Sequence, residues 1–373
     1  MRVIKNEKKL TIFKNGIETF DSIPAGGYLL QFSDLEGFFL TETEIVPVTY
    51  KVYGNNSANV QKILGTFEVY DRNLGVILSG DKGTGKTIFT RMLSVAAIDR
   101  NIPVIIVREA YPGIVKYIEN IDQEVMIVFD EFEKTFGNGN DDDENSEQSR
   151  MLTLFDGITF GKKLFIVVCN NARKLNRHMI NRPGRFHYHI RFNNPSKKEM
   201  IEYLNDNVKK EFHGEIEDVV AFSSQNSLNY DCLRAIALEL NCGNTFKSAI
   251  SYLNIVDTNV PNSYVVRLIY DNNVVGTCSN AMIDFYENKN EDYHTYWMEN
   301  DVKDCFATIG FRTSDIVYDR VRGINIVPPE KINIDYEDYD EILGLVDQCK
   351  NSKVKRVEVI KTDTCLDYSS CFR

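Results

Sequence analysis

The chain has 373 residues, and 43 Lys and Arg stand against 54 Asp and Glu, a formal charge of −11. With 43% hydrophobic and 26% charged residues, a disordered tail, a collagen and a small disulfide scaffold are excluded, and two or three domains with real cores are expected. No apolar run approaches the ~20 residues a membrane helix needs, MRVIKNEKKL has no apolar segment behind its positive residues, and the eight cysteines form no C-x-x-C pair, so a reduced cytoplasmic protein is expected.

In chain order, residues 1–59 read as a β-rich unit. LTIF, YLLQFS and GFFLTET are short strand-like runs punctuated by KNG and PAGG, and YGNNSAN (53–59) reads as a linker. Residues 60–194 change to alternating strands and helices. VILS, VIIV, VMIVF and LFIVV are continuous apolar runs, as expected of strands covered on both faces, and HYHIRF closes the series. Such alternation predicts a parallel sheet between helices. Residues 195–257 predict a small helical subdomain, because SKKEMIEYLNDNVKKEF and YDCLRAIALEL carry apolar residues at i, i+3 and i+4. Residues 258–373 return to strand-like runs such as SYVVRLIY and VKRVEVI, mixed with acidic stretches, and predict an α+β extension.

The strongest signal is GDKGTGKT, Gly80 to Thr87, which fits G-x-x-x-x-G-K-[ST] between a predicted strand and a predicted helix. Gly80, Gly83 and Gly85 let the backbone curl so that its N–H groups face phosphate oxygens, and the helix adds its positive end. Lys86 supplies a point charge for β- and γ-phosphates, and the Thr87 hydroxyl can ligate Mg²⁺. Some forty residues on, VMIVF ends in Asp130-Glu131. A carboxylate at that strand end reaches the magnesium beside the phosphates, and the next one can orient or deprotonate the attacking water. Glu133 reads as a surface residue.

LFIVVCNN ends a further buried strand with Asn170, an amide suited to holding water against the γ-phosphate; a turn-forming asparagine is the competing reading, and the neighbour Asn171 leaves the register open. NRPGRF stiffens a turn with Pro183 and Gly184 and presents Arg182 and Arg185, a pair suited to a phosphate supplied by another molecule. His187 and His189 alternate on a strand, which reads as a sheet face rather than a metal site, since no further ligand completes a set.

In this order and spacing, GDKGTGKT, FDEFEK, VVCNN and NRPGRF resemble the AAA+ ATPases over roughly residues 60–257, and SRMLTLFDGI (149–158) resembles the helix that opens their second homology region. Within them the RPGRF-like turn resembles the AAA subgroup, with a Bcs-like or proteasomal-like flavour. The resemblance implies a P-loop α/β core with a helical lid, here with β-rich N-terminal and α+β C-terminal extensions. It implies that Gly80, Asp81, Lys82, Gly83, Thr84, Gly85, Lys86 and Thr87 form the Walker A loop and that Asp130 and Glu131 form Walker B. Asn170 becomes sensor 1, Arg182 and Arg185 the arginine fingers, and Arg234 a candidate for sensor 2. Tyr111-Pro112-Gly113 resembles the aromatic–hydrophobic–Gly loop that grips substrate in the pore; a helix start at Pro and Gly is the competing reading. GNGNDDDENSE (137–147) reads as a solvated acidic loop, and its placement where the family's second pore loop would be keeps a pore role open.

Two departures weaken the finger assignment. LNRHMINRPGRFH has an extra residue before Arg182, and His187 replaces the family's final acid. The implied activity is Mg·ATP hydrolysis in a homo-oligomeric ring, a hexamer, acting on a macromolecule. A protein remodeller, unfoldase or disassembler is favoured by the subgroup, the Tyr111 loop and the acidic charge. A DNA-directed motor or loader needs a basic channel that the charge balance disfavours. A slow structural ring is the third reading, and Glu131 argues against a dead site. The frequent Asn, Ile, Lys and Asp fit an AT-rich genome, a bacterium or its phage.

Overall fold

The computed structural model describes residues 2–6, 9–14, 17–137, 147–156, 161–176, 178–180, 182–255, 262–285, 293–301, 304–337 and 342–362. It divides into two compact units, Met1–Phe192 and Asn193–Arg373. Among the described residues, no helix is long and apolar enough to cross a membrane.

The first unit begins with a two-stranded antiparallel hairpin, β1 (Arg2–Asn6) and β2 (Lys9–Phe13). It continues with β3 (Gly27–Ser33), β4 (Gly37–Thr43), α1 (Asn56–Val69), β5 (Leu74–Gly80) and α2 (Lys86–Ile98). Then come β6 (Val104–Val107), α3 (Ile114–Glu119), β7 (Val125–Phe129), α4 (Phe132–Thr135), α5 (Glu147–Asp156), β8 (Lys163–Cys169) and β9 (Phe186–Phe192). Seven of the strands form one sheet in the order β4-β3-β6-β7-β8-β5-β9. From β3 to β9 every neighbouring pair is parallel; β4 is the antiparallel edge.

The apolar runs explain the layering. Every residue of β7 and β8 is buried, so both faces of the sheet need cover. On one face, Val60, Leu64 and Phe67 of α1 and Phe89 and Leu93 of α2 pack on Val76, Leu78, Met126 and Leu164. On the other, Ile118 of α3, Phe132 of α4 and Leu154 of α5 pack on Ile77, Ile127, Phe129 and Phe165. Each fully buried side chain of this size contributes about 1.5–3 kcal/mol of transfer free energy. The result is a parallel sheet between two helical layers, with the carboxyl ends of β5, β7 and β8 on one side.

The sequence groups residues 1–59 as a β-rich unit. In the structure, β3 pairs parallel with β6, Gly27 to Val104 through Leu29 to Ile106, so the strands at 27–43 extend the core sheet. Nothing local in 27–43 carries that pairing, because its partner lies more than seventy residues on.

The second unit opens with four helices, α6 (Lys197–Asn207), α7 (Ile216–Ser223), α8 (Tyr230–Asn241) and α9 (Phe246–Ile250). Ser196 and Glu199 cap α6 reciprocally, and Asn229 caps α8 by accepting the Cys232 N–H. Their shared core includes Leu204, Val219, Leu233, Ile236 and Leu240. An antiparallel sheet follows: β10 (Asn262–Tyr270), β11 (Val275–Ile283), β12 (Tyr293–Glu299), β13 (Cys305–Arg312), β14 (Val317–Asp319), β15 (Ile324–Val327), β16 (Asn333–Tyr336) and β17 (Val354–Lys361), with α10 (Leu343–Lys350) before β17. The strand order is β14-β15-β17-β10-β11-β12-β13-β16. Val346 and Cys349 of α10 cover one face together with Tyr264, Tyr270, Phe306 and Phe311.

Candidate functional site

The loop between β5 and α2 is built on glycines that no other residue could replace. Gly80 has φ +149°, and a Cβ there would meet the Phe192 carbonyl oxygen at 2.0 Å. Gly85 has φ +104° at the point where the chain turns into α2. The Thr84 hydroxyl, itself buried, donates to the Asp81 carbonyl at 2.7 Å and holds the loop's curl. Thr87 is exposed at the start of α2, so its hydroxyl stands at the helix's positive end.

Lys86 is buried, and its ammonium donates to the carbonyls of Gly80 and, at 2.7 Å, of Asp81. Burial lowers its pKa, while Cys169, Asp81, Glu133 and Asp130 pull in the opposite direction. The ammonium therefore waits among carbonyl oxygens that a phosphate could displace.

Asp130 follows β7 directly and its N–H continues the strand pairing to the Val107 carbonyl at 3.2 Å. Glu131 is exposed and left-handed, with φ +46°. Its backbone N–H donates to Asp130 Oδ1 at 3.0 Å, and its carboxylate is paired with Lys134. The hydrogen bond from the Lys134 ammonium holds the Glu131 carboxyl below its ordinary pKa.

Glu133 is not on the surface, contrary to the reading from sequence. It is 6% exposed, and its Oε1 accepts the Asn170 N–H at 2.8 Å. Phe132 of the one-turn helix α4 and Phe136, the residue just past it, enter the core, and Glu133 is drawn inward with them. The FDEFEK string records the apolar spacing, but not that the helix stops after a single turn.

Asn170 directly follows β8. Asn171, next in the chain, makes the turn: its Oδ1 accepts the Arg173 N–H at 2.9 Å and caps a single 3₁₀ turn, Ala172–Lys174. The structure thus brings the Gly80–Thr87 loop, Asp130, Glu131 and Asn170 to the carboxyl ends of neighbouring parallel strands of one sheet.

Arg182 and Arg185 stand elsewhere. β9 runs parallel to β5, with Phe186 beside Gly75 and Phe192 beside Gly80. The arginine turn precedes β9, so it lies beside the start of β5, and the five steps from Gly75 to Gly80 span roughly 16 Å. Arg182 is exposed. Arg185 is half-buried and its guanidinium donates to the His178 carbonyl at 2.9 Å, which braces the turn. His189, beside Ile77 in the strand register, shares a 2.7 Å hydrogen bond with Ser79, the residue before Gly80, and burial pushes its pKa down to about 4.

Tyr111 is half-buried. Its hydroxyl donates to Glu109 at 2.6 Å and its ring lies 5.7 Å from that of Phe32 and 6.2 Å from that of Phe38. Gly113, at φ +88°, begins α3. Arg234 is exposed on α8 in the second unit, near Tyr203. Residues 138–146 of the acidic stretch, and the end of SRMLTLFDGI at 157–158, lie outside the described residues. Among the described residues, no group of three or more His, Cys, Asp or Glu could hold a metal by itself.

A glycine loop feeding a helix, beside acid and amide side chains at the ends of neighbouring parallel strands, defines a nucleoside-triphosphate-binding α/β domain. Residues 76–194 match the ATPase family associated with various cellular activities, AAA. This segment is similar to the AAA ATPase domain, and the match supports an ATP-hydrolysing enzyme. No curated protein matches the chain.

Proposed function

We propose that the chain hydrolyses Mg·ATP as a homo-oligomeric ring, a hexamer, in which neighbouring subunits complete each other's sites, and that it uses the cycle to remodel a protein. The observation that carries the shared site is the separation of the arginine turn from the phosphate loop. Arg182 stands at the amino ends of the strands, opposite the carboxyl ends where Lys86 lies, too far to serve its own nucleotide, and it is exposed. Arg185 acts in this reading by holding the turn rather than by touching phosphate.

The other roles follow from position. Lys86 exchanges the Gly80 and Asp81 carbonyls for phosphate oxygens. Asp81, Lys82, Gly83, Thr84 and Gly85 offer the loop's amides. Glu131 leaves Lys134 to accept a proton from water, and Asn170 orients that water. A magnesium ion fits Thr87 and Asp130, one hydroxyl and one carboxylate, because this ion takes few protein oxygens and completes its shell with phosphates and water; bound there, it offsets charge on the β- and γ-phosphates. Remodelling of a protein rather than movement along DNA rests on the acidic charge of the chain.

The test mixes two inactive variants. Arg182→Ala and Lys86→Ala subunits should each be inactive alone and regain part of the activity together, since their defects lie on opposite sides of one interface. Mixed rings that form, by mass, and stay dead would overturn the shared site. Glu131→Gln protein that stays monomeric with Mg·ATP at low micromolar concentration would overturn the ring.

A further inference from the structure

The mechanism above leaves one buried polar group unused. Glu133 places Oε1 on the Asn170 N–H at 2.8 Å, while its Oε2 is buried and the one such side-chain atom without a hydrogen-bond partner among the described residues. It lies near Lys86 and Cys169, whose pKa values its charge raises. An acceptor buried without a partner costs about 1–3 kcal/mol. A carboxyl group between Phe132 and Lys134, on a helix otherwise packed by phenylalanine, is therefore a poor choice for stability alone.

We infer that Glu133 is a positioning residue of the ATPase site. It clamps the main chain at the end of β8 to the one-turn helix that follows β7, and so sets the Asn170 side chain against Glu131. The argument is geometric. Asn170 leaves its strand at residue 169, and Asn171 already belongs to the next turn. The Asn170 peptide is thus past the last residue that the ladder holds. Without an acceptor at Glu133, its N–H would lose that restraint, and a displacement on the order of 1 Å at a catalytic group lowers turnover about a hundredfold. Glu131 and Glu133 share α4 and its entry, so the clamp ties the carboxylate and the amide of the site to one short element. This inference rests on the ATPase reading and deepens it.

The test compares Glu133→Ala, Glu133→Gln, Asn170→Ala and the double variant Glu133→Ala/Asn170→Ala in the full chain. Three quantities are read: steady-state hydrolysis, the Kd for fluorescent mant-ADP, and deuterium exchange in the peptide that covers Asn170. Glu133→Ala should lose at least tenfold in kcat, with the mant-ADP Kd changed less than threefold and exchange at Asn170 accelerated. Glu133→Gln keeps an acceptor and should retain at least a third of kcat and the protection. The double variant should be no slower than Asn170→Ala, because one residue acts through the other. The inference fails if Glu133→Ala keeps its kcat, if Gln is as slow as Ala, if the losses multiply, or if exchange at Asn170 is unchanged. A wild-type chain that never hydrolyses ATP, alone or assembled, would instead overturn the reading beneath it.

Discussion

His189 is close enough to the phosphate loop to be mistaken for a catalytic base, and its surroundings decide otherwise. Burial first, and Arg191 second, push its pKa down to about 4, so it stays neutral and hydrogen-bonded to Ser79 through the physiological range. The unfolded chain binds a proton at His189 near pH 6.5 and the folded chain does not until about pH 4. Stability from this residue is therefore present above pH 6.5 and falls as pH drops from 6.5 towards 4. In urea titrations over that window, His189→Gln should lose stability less steeply than the wild type; parallel curves would show that His189 is not desolvated. Glu131 poses the opposite case, an exposed carboxylate held by Lys134. Exposed pairs contribute about 0.2–1 kcal/mol, so releasing Glu131 can raise turnover by at most about fivefold. Lys134→Met should give a modest rise in kcat. A fall beyond tenfold would mean that Lys134 itself touches the chemistry.

At the scale of elements, the junction of β5 with its loop is the least tolerant place in the first unit. Gly80→Ala would set a methyl against the Phe192 carbonyl of β9 and force a left-handed φ, strain of about 1–3 kcal/mol before any clash. It should lower the melting temperature and abolish mant-ADP binding; wild-type values for both would contradict the loop's geometry. This junction was legible because eight consecutive residues carry the loop, and consecutive residues stay together in any fold. Asp130 and Asn170 were legible for a related reason, since each ends a continuous apolar run and such runs mark buried strands. Glu133 was not. Its burial depends on α4 ending after one turn, with Phe132 and Phe136 reaching inward, and no period can be read from four residues. The strands at 27–43 were legible as strands but not as part of the core sheet, because their alignment with Val104–Ile106 depends on a distant partner. The two arginines of NRPGRF looked equivalent in sequence; the His178 carbonyl separates them.

At the scale of the molecule, the four helices of the second unit do not stand alone. Ser224, just past α7, exchanges two hydrogen bonds with the fully buried Asn325 of β15, at 3.1 and 3.3 Å. Tyr264 of β10 donates to the Gln225 carbonyl at 3.3 Å, and Lys361 of β17 donates to Ser227 at 2.8 Å. On the surface, Arg320 joins Asp218 at 2.7 Å and Glu217 at 3.6 Å. Any motion of the helices on nucleotide binding would thus carry the antiparallel sheet with them. The buried contacts and the exposed ion pairs make different claims on that coupling. Removing Asn325 takes the donor from the Ser224 carbonyl in a half-buried place, at about 1–3 kcal/mol, while the Ser224 hydroxyl keeps the Ala221 carbonyl at 2.6 Å. Removing Arg320 breaks exposed pairs of about 0–1 kcal/mol. Calorimetry of the full chain should therefore show residues 193–373 melting as one transition in the wild type and in Arg320→Ala. In Asn325→Ala the same transition should move down and divide, the helices separating from the sheet. If Arg320→Ala divides it and Asn325→Ala does not, surface charge rather than the buried asparagine joins the two parts, and the helices would be free to move without the sheet.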